Sequence, residues 1–401
     1  MPHIKSYLKG KSSPLLKYQT IGECFDSICE QYPDREAMVV SHQGIRKTYG
    51  QYQQDINKLA KGLMHLGVGI GDRVGLWSPN NYAWVLTQMA CAKIGAIMVC
   101  INPAYRKHEL EYALNKVRCQ TLIVAEQFKS SDYLNMLQTL APELAHCEPG
   151  QLKARALPHL NTVISLADHT TPGMFNFAAV KQLAAPLNER HLHQRQQQLH
   201  HHDAINIQFT SGTTGSPKGA TLTHFNILNN AYQVAAGIQL TEQDRVCVPV
   251  PLYHCFGMVM GHLACITQGA TTVLPGDAFE PLRCLQTLEQ EQCTGLYGVP
   301  TMFIAQLEHP QFKAFKLNSL RTGIMAGAPC PPEVMKRVIN DMHMKDITIM
   351  YGQTETSPVN HMTAIGDPLD KQVGTVGRCA PHLEVKLINE QGDIVAVGAR
   401  G

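Results

Sequence analysis

The chain has 401 residues, of which 44% are hydrophobic and 16% charged, with a formal net charge of +2. A chain of this length can bury large cores in two or three domains, and its apolar content is typical of a globular protein. The small net charge argues against a surface that coats nucleic acid, so we expect no nucleic-acid partner.

The cysteines and the N-terminus bear on the compartment. The 13 cysteines run from Cys24 to Cys379, are odd in number and form no CxxC pair, which is typical of reduced, mostly buried thiols. The first residues contain no apolar secretory segment, and the longest apolar runs, such as 96–101, are much shorter than a membrane span. We therefore predict a cytoplasmic or organelle-matrix protein without a transmembrane segment, while a peripheral membrane contact stays open.

The first half of the chain alternates between strand-like and helix-like patterns. Strands are predicted at 73–77, 96–101 and 121–125, with helices at 82–93 and 109–116 between them. This rhythm is typical of a mostly parallel sheet covered by helices.

A histidine- and glutamine-rich segment spans 191–202 and ends in three consecutive histidines. One interpretation is a metal site, but the spacing of His191 and His193 suits no common ligand set. A solvated helix followed by a loop is the favoured interpretation.

A glycine- and hydroxyl-rich loop follows a predicted strand at 205–209 and precedes a predicted helix at 224–236. Glycine lets the backbone approach an anion closely, hydroxyl groups donate hydrogen bonds, and lysine adds positive charge. A flexible linker is the alternative, which the flanking strand and helix disfavour. The candidate phosphate-binding residues are Thr210, Ser211, Gly212, Thr213, Thr214, Gly215, Lys218 and Gly219.

The loop is not a Walker A motif, because Lys218 is followed by Gly219 rather than by serine or threonine. The residue that would hold magnesium in that class is therefore missing. The pattern predicts a phosphate site of another lineage.

The alternating rhythm returns after residue 204. The predicted strands are 246–250, 271–274, 295–297, 320–325 and 347–350, and the predicted helices are 280–292 and 332–342. We therefore predict an α/β fold in which residues 1–373 form two similar, mostly parallel sheets covered by helices, with the second half beginning near 204.

The pattern changes at Gly374. The runs 376–378, 383–388 and 392–395 alternate as antiparallel strands do, with a turn at 389–392. We predict that residues 374–401 begin a small β subdomain. Because a domain rarely ends on an unpaired strand edge, the pattern also favours a piece of a longer protein.

With these motifs in order, the chain resembles the AMP-forming adenylate enzymes, which include acyl-CoA synthetases, luciferases and peptide-synthetase adenylation domains. Beyond the loop, the resemblance is carried by 251–257 (PLYHCFG), 327–329 (GAP), 351–355 (YGQTE) and 374–378 (GTVGR). It extends from about residue 20 to 401.

Within this family the chain is most similar to the medium-chain acyl-CoA synthetase branch, on the runs 102–105, 203–209 and 300–303. The resemblance implies ATP-dependent activation of a fatty, medium-chain carboxylic acid to an acyl-adenylate, followed by acyl transfer to coenzyme A, with ATP or AMP and Mg²⁺ as cofactors. A remnant that binds nucleotide or an acyl group without catalysis stays open as the alternative.

The resemblance also implies roles for individual residues. Lys218 would contact the β,γ-phosphates, Thr354 the α-phosphate and Glu355 the magnesium ion, while Tyr351 would stack on adenine and His254 would orient the carboxylate. These assignments make Lys218, His254, Thr354 and Glu355 the candidate catalytic residues. The remaining nucleotide-binding candidates are Gly327, Ala328, Pro329, Gly352 and Gln353.

An acyl pocket is expected among apolar residues of the second half, although a core would use the same residue types. The family's ribose-binding aspartate, hinge and small lid domain with its lysine have no counterpart in residues 1–401. On the resemblance we therefore expect weak nucleotide binding and poor turnover. The pocket candidates are His254, Phe256, Met258, Val299, Met302, Ile324 and Met325.

Overall fold

The computed structural model of the chain describes residues 4–210 and 217–401. Its strands are β1 (Tyr7–Lys9), β2 (Glu36–Val40), β3 (Ile45–Thr48), β4 (Arg73–Trp77), β5 (Ile97–Ile101), β6 (Thr121–Val124), β7 (Gln127–Phe128), β8 (Ser131–Asp132), β9 (Thr162–Ser165), β10 (Phe175–Asn176), β11 (Ala204–Thr210), β12 (Lys218–Thr223), β13 (Arg245–Cys247), β14 (Thr271–Leu274), β15 (Gly295–Gly298), β16 (Thr322–Ala326), β17 (Asp346–Gly352), β18 (Val359–Met362), β19 (Arg378–Cys379) and β20 (Glu384–Lys386).

Its α-helices are α1 (Ile21–Gln31), α2 (Tyr49–His65), α3 (Tyr82–Ile94), α4 (Lys107–Lys116), α5 (Tyr133–Leu140), α6 (Phe177–Gln182), α7 (Glu189–Gln196), α8 (His224–Gly237), α9 (Ala264–Gln268), α10 (Pro281–Gln290), α11 (Pro300–Leu307), α12 (Pro332–Asp341) and α13 (Leu369–Gly374). A π-helical segment, Phe256–Leu263, leads directly into α9. Hydroxyl and amide side chains begin several helices: Thr20 caps α1, Asn81 caps α3 and Thr223 caps α8.

Two large sheets form the frame of the molecule. The first has the strand order β10-β9-β6-β4-β5-β11-β12, parallel except for the edge strand β12. The second has the order β19-β18-β17-β16-β15-β13-β14-β2-β3, with a parallel centre and antiparallel strands at both edges. The predicted α/β class with two mostly parallel, helix-covered sheets is confirmed.

Three apolar clusters arrange these elements in layers. The largest lies between the sheets and contains residues of α1, α2, α3, α8, the π-helical segment and α9. A second cluster covers the outer face of the first sheet with α4 and α5, and a third covers the outer face of the second sheet with α10, α11 and α12. Strand β5 shows why both faces are covered: Met98 and Cys100 face the inner cluster, whereas Val99 and Ile101 face the outer one.

The sheets do not divide the chain at residue 204. Strands β11 and β12 belong to the first sheet, because β11 pairs with β5. Strands β2 and β3, from the N-terminal part, complete the second sheet through the pairing of β2 with β14. The predicted boundary near residue 204 therefore falls inside the first sheet. Strand β12, the antiparallel partner of β11, was not predicted.

The last segment pairs with the start of the chain. Strand β20 is antiparallel to β1, and Ile388 and Ile394 form an antiparallel bridge across a turn. Strand β19 instead extends the second sheet. The division at 374 into a separate subdomain remains a prediction.

The histidine-rich segment forms α7 and an exposed turn, with Leu192 as the buried residue of the helix. Among the described residues, no group of three or more histidine, cysteine or acidic side chains could hold a metal ion. No helix in the described residues 4–210 and 217–401 is long and apolar enough to cross a membrane.

Candidate functional site

A cavity of about 650 Å³ opens between the two sheets. We call it the main cavity. Its walls come from the end of β11, the segment before the π-helix, the end of β16 and the segment joining β17 to β18. The lining residues are Asn102, Phe209, Thr210, Tyr253, His254, Phe256, Met260, Ala326, Gly327, Met350, Tyr351, Gly352, Gln353, Thr354, Glu355, Pro358 and Val359.

The glycine-rich loop joins β11 and β12, which pair as a hairpin with Thr210 opposite Lys218. Lys218 is exposed at the start of β12, and Thr210 is half-buried in the cavity wall. The loop therefore leads into an antiparallel strand and not directly into α8. The predicted residues Ser211, Gly212, Thr213, Thr214 and Gly215 lie outside the described residues.

The YGQTE segment lies at the open end of β17. The Thr210 hydroxyl oxygen Oγ1 lies 3.4 Å from Oε1 of Glu355, which links the hairpin to this segment. Thr354 is buried, whereas Tyr351, Gln353 and Glu355 are exposed. The carboxylate of Glu355 and the hydroxyl groups of Thr210 and Thr354 thus lie in the same part of the cavity lining.

Gly352 is required where it stands. A Cβ atom there would lie 1.8 Å from the carbonyl oxygen of Pro358. The side-chain amide of Asn230 fixes the same turn, because its Nδ2 donates to the Val359 carbonyl at 2.8 Å and its Oδ1 accepts from the Val359 N–H at 3.2 Å. The close backbone approach and this paired contact hold the YGQTE segment against α8.

His254 also lines the main cavity, from the segment before the π-helix. The buried amide of Asn80 holds the preceding loop, accepting from the Leu252 N–H at 2.8 Å and donating to the Val250 carbonyl at 3.0 Å. The Phe256 N–H donates to Nδ1 of His254 at 3.2 Å, so the ring proton is assigned to Nε2. Enclosure by the surrounding protein lowers the pKa of His254, which keeps the ring neutral near pH 7.

Gly327 forms the edge of the main cavity after β16. Its φ of +86° is in the left-handed region, where glycine is favoured. Ala328 and Pro329 continue from it and are exposed. The GAP segment therefore presents backbone rather than bulky side chains at the cavity rim.

The structure divides the predicted acyl-pocket residues. His254 and Phe256 line the main cavity, and the Phe256 ring stacks on that of Tyr297 with centroids 6.1 Å apart. Met302 lines a different cavity, and Val299 packs near Gly327.

Three predicted pocket residues lie in the core and not in the wall. Met258, Ile324 and Met325 are fully buried, and the main-cavity lining does not include them. Neighbouring strand residues face opposite sides, so Met325 packs in the cluster outside the second sheet while Ile324 faces inward. Met325 would have to point through the sheet to reach the main cavity, and its assignment to an acyl pocket remains an untested prediction.

A second cavity, of about 280 Å³, adjoins the first; we call it the side cavity. The two share Asn102 and Tyr253, while Pro103, Phe128 and Met302 line only the smaller one. Lys129 provides the one positive charge among its lining residues, and Asp277 provides a negative one.

Several lining residues were not predicted. Phe209 and Met350 could have been predicted from their positions near strand ends, because the carboxyl ends of parallel strands meet at one edge of a sheet. The helical spacing from Phe256 offered a signal for Met260. Asn102 was noticed only as part of a family-like run.

Comparison with known proteins agrees with this geometry. A family model described as AMP-binding enzyme matches residues 25–401. YngI of Bacillus subtilis, named as a candidate acyl-CoA synthetase, is 47% identical over 373 residues, covering 93% of this chain and 68% of the relative. The mitochondrial medium-chain acyl-CoA ligase ACSF2 of Danio rerio is 45% identical over 399 residues, covering 99% of this chain and 66% of the relative.

A solved structure supports the fold. The anthranilate CoA ligase AuaEII, crystallised with anthranoyl-AMP, matches with a TM-score of 0.82 at 24% identity, covering 97% of this chain and 70% of that one. The chain belongs to the AMP-binding enzyme family, which confirms the predicted family. It spans about two thirds of the length of the curated relatives it matches.

Proposed function

We infer that the protein activates a fatty acid with ATP, forming an acyl-adenylate and pyrophosphate, and then transfers the acyl group to coenzyme A. One observation carries this proposal: Thr210, Glu355 and His254 line the same cavity. An anion-binding wall and a neutral hydrogen-bond donor can hold a triphosphate and a carboxylate together, which is what adenylation requires.

The first step joins two anions, so its main barrier is repulsion and positioning. A carboxylate oxygen attacks the α-phosphorus of ATP, and the bond to the β-phosphate oxygen breaks to release pyrophosphate. Lys218 and the glycine-rich loop would hold the departing phosphates, and Thr354 the α-phosphate. Every negative charge that these groups neutralise lowers the free energy of the transition state.

Glu355 is the proposed magnesium residue. Its exposed carboxylate faces the cavity beside Thr210, and a hard cation combines such an oxygen with substrate phosphates. The bound ion would supply charge neutralisation at the phosphates.

His254 is proposed to orient the substrate and not to remove a proton. A carboxylate is already ionised near pH 7, and the lowered pKa of His254 keeps its ring neutral. The proton on Nε2 can then donate to one carboxylate oxygen and leave the other free to attack. This arrangement also avoids an ion pair that would weaken the nucleophile.

The side cavity is proposed to receive the thiol of coenzyme A. It meets the main cavity at Asn102 and Tyr253, beside His254, and Pro103, Phe128 and Met302 give it an apolar wall. The thiol sulfur would attack the acyl carbon and AMP would leave. Two adjoining cavities allow the second substrate to approach without displacing the first.

A medium-chain acid is the proposed substrate. Phe256, Met260 and Met350 give the main cavity an apolar, adaptable surface, and the ACSF2 relative carries the medium-chain designation in its name. For the compartment we propose cytoplasm or an organelle matrix, since that relative is mitochondrial by name.

Acid-dependent exchange of labelled pyrophosphate into ATP tests the proposal. Acids from two to sixteen carbons should give a maximum at intermediate length, and adding coenzyme A should convert the product to a thioester. Exchange that is absent for every acid contradicts adenylation. Binding of a non-hydrolysable acyl-adenylate mimic without exchange would instead support a binding protein, and a flat response to length would contradict the medium-chain assignment.

A further inference from the structure

A buried contact connects the two walls of the main cavity. The Cys255 thiol donates to Oε1 of Gln208, with Sγ and Oε1 3.0 Å apart. Cys255 lies between His254 and Phe256, which both line the cavity, whereas Gln208 lies two residues before Thr210 in β11. One contact therefore joins the segment that carries His254 to the strand that ends at Thr210.

Both partners are removed from solvent. Cys255 is 0% exposed and Gln208 is 2% exposed, so an unpaired amide at this position would carry a desolvation penalty. The other end of the amide is also directed at the π-helical segment, because its Nε2 lies 3.7 Å from Sδ of Met258. A single side chain of β11 thus contacts the segment on either side of Phe256.

The thiol remains a donor over the working pH range. Burial is the main cause that raises the pKa of Cys255, so the proton that the thiol donates to Gln208 is retained near pH 7.

We propose that the Gln208–Cys255 pair is a positioning element that sets the separation between the carboxylate held at His254 and the phosphates held near Thr210. The inference rests on the proposed function, because it assigns the pair to the adenylation step. Neither side chain lines the main cavity, so both act through their neighbours. A small error in separation costs rate rather than affinity, since attack requires close alignment of the reacting atoms.

Four variants test the pair: Cys255→Ala, Cys255→Ser, Gln208→Leu and the double variant Cys255→Ala/Gln208→Leu. Serine keeps a hydrogen-bond donor to Gln208, whereas alanine does not. For exchange with the preferred acid, we expect kcat to fall about tenfold in each single loss variant while KM for ATP changes little. The serine variant should stay within about threefold of the wild type.

The double-variant cycle separates a shared role from two independent ones. If the residues act as a pair, the double variant should lose no more than either single loss variant. Cys284→Ala is the matched control, because this thiol is equally buried but lies in the cluster outside the second sheet. It should lower stability without changing kcat.

The outcomes are distinct. An unchanged kcat in Cys255→Ala, a serine variant as slow as alanine, or additive losses in the double variant would overturn the pairing. The S–H stretching band that is lost in Cys255→Ala should shift when an acyl-adenylate mimic binds, and an unmoved band contradicts the proposal even if a variant folds poorly. Absent exchange in the wild type would instead indicate that the proposed function has failed.

Discussion

The two walls of the main cavity are built in opposite ways. The wall proposed to hold the phosphates, here called the phosphate wall, presents the exposed side chains of Tyr351 and Glu355. The wall proposed to hold the carboxylate, here called the packed wall, carries His254 and Phe256, and the neighbouring Cys255 and Met258 are fully buried. The phosphate wall would meet a ligand through exposed polar groups, whereas the packed wall owes its shape to the core.

The largest expected effect comes from removing charge on the phosphate wall. Glu355→Gln keeps the shape and removes the carboxylate charge, so Mg²⁺-dependent pyrophosphate exchange should fall about 100-fold. The free energy of unfolding should change little, because the side chain is exposed. Glu333→Gln, at an exposed ion pair on α12, is the control. Equal exchange rates in the two variants would contradict the proposed metal-binding role of Glu355.

The next largest effect is expected on stability, from a substitution at Gly352. Gly352→Ala places a methyl group against the Pro358 carbonyl, so the turn must shift, and we expect a loss of about 2 kcal/mol of unfolding free energy. Urea denaturation measures it. Gly374→Ala, where a Cβ meets nothing within 4 Å, is the comparison. A Gly352 variant as stable as the Gly374 variant contradicts the close approach.

Acid should destabilise the packed wall through His262. Its Nδ1 donates to Oε1 of Gln88 at 2.7 Å and its Nε2 accepts from the Tyr52 hydroxyl at 3.1 Å, and burial lowers its pKa to about 3. Because the folded pKa lies below the unfolded one, the unfolded state binds the proton first as pH falls. Stability should be full above about pH 6.5 and decline below it by about 1.4 kcal/mol per pH unit for this group.

Denaturation series from pH 7 to pH 5 measure that decline. His262→Gln cannot titrate, so its stability should fall less steeply with pH whatever its value at pH 7. His224, whose pKa burial lowers to about 4, and His254, whose pKa burial also lowers, would contribute to the slope that remains. Parallel slopes in wild type and variant would show that His262 takes no part.

The smallest effect concerns adenine. Tyr351 is 53% exposed and its ring meets His361 edge-on, so it is free to stack on a ligand. Tyr351→Ala should weaken ATP binding about fivefold, the usual size of one aromatic contact, with unchanged melting temperature. Tyr351→Phe should bind as the wild type does. Calorimetric titration that finds the alanine variant unaltered would contradict stacking.

The sequence could predict those features of the molecule that depend on local patterns of residues. Apolar runs such as 73–77 and 271–274 match β4 and β14 because parallel strands are buried on both faces. Gly327 and Gly352 were identified from the family resemblance, and the structure gives each a local reason, a left-handed turn at Gly327 and a close backbone approach at Gly352.

Features that depend on distant partners could not be predicted. Strand β12 mixes polar and apolar residues, and only its pairing with β11 makes it a strand. The π-helical segment has the composition of any apolar helix. The Gln208–Cys255 contact joins residues that no periodic pattern relates. The orientations of Ile324 and Met325 were accessible from strand alternation, which was not applied to them.

The pairing of β2 with β14 constrains how the chain can acquire its shape. The centre of the second sheet comes from residues made late, whereas its β2–β3 edge is made early and has no partner until Leu274 is in place. During synthesis β2 therefore cannot pair with β14 until the later strand is made, and long-range pairing of this kind is slow. We therefore expect protease to cut within about the first 50 residues more readily in ribosome-bound chains that end before β14 than in chains that extend past β14.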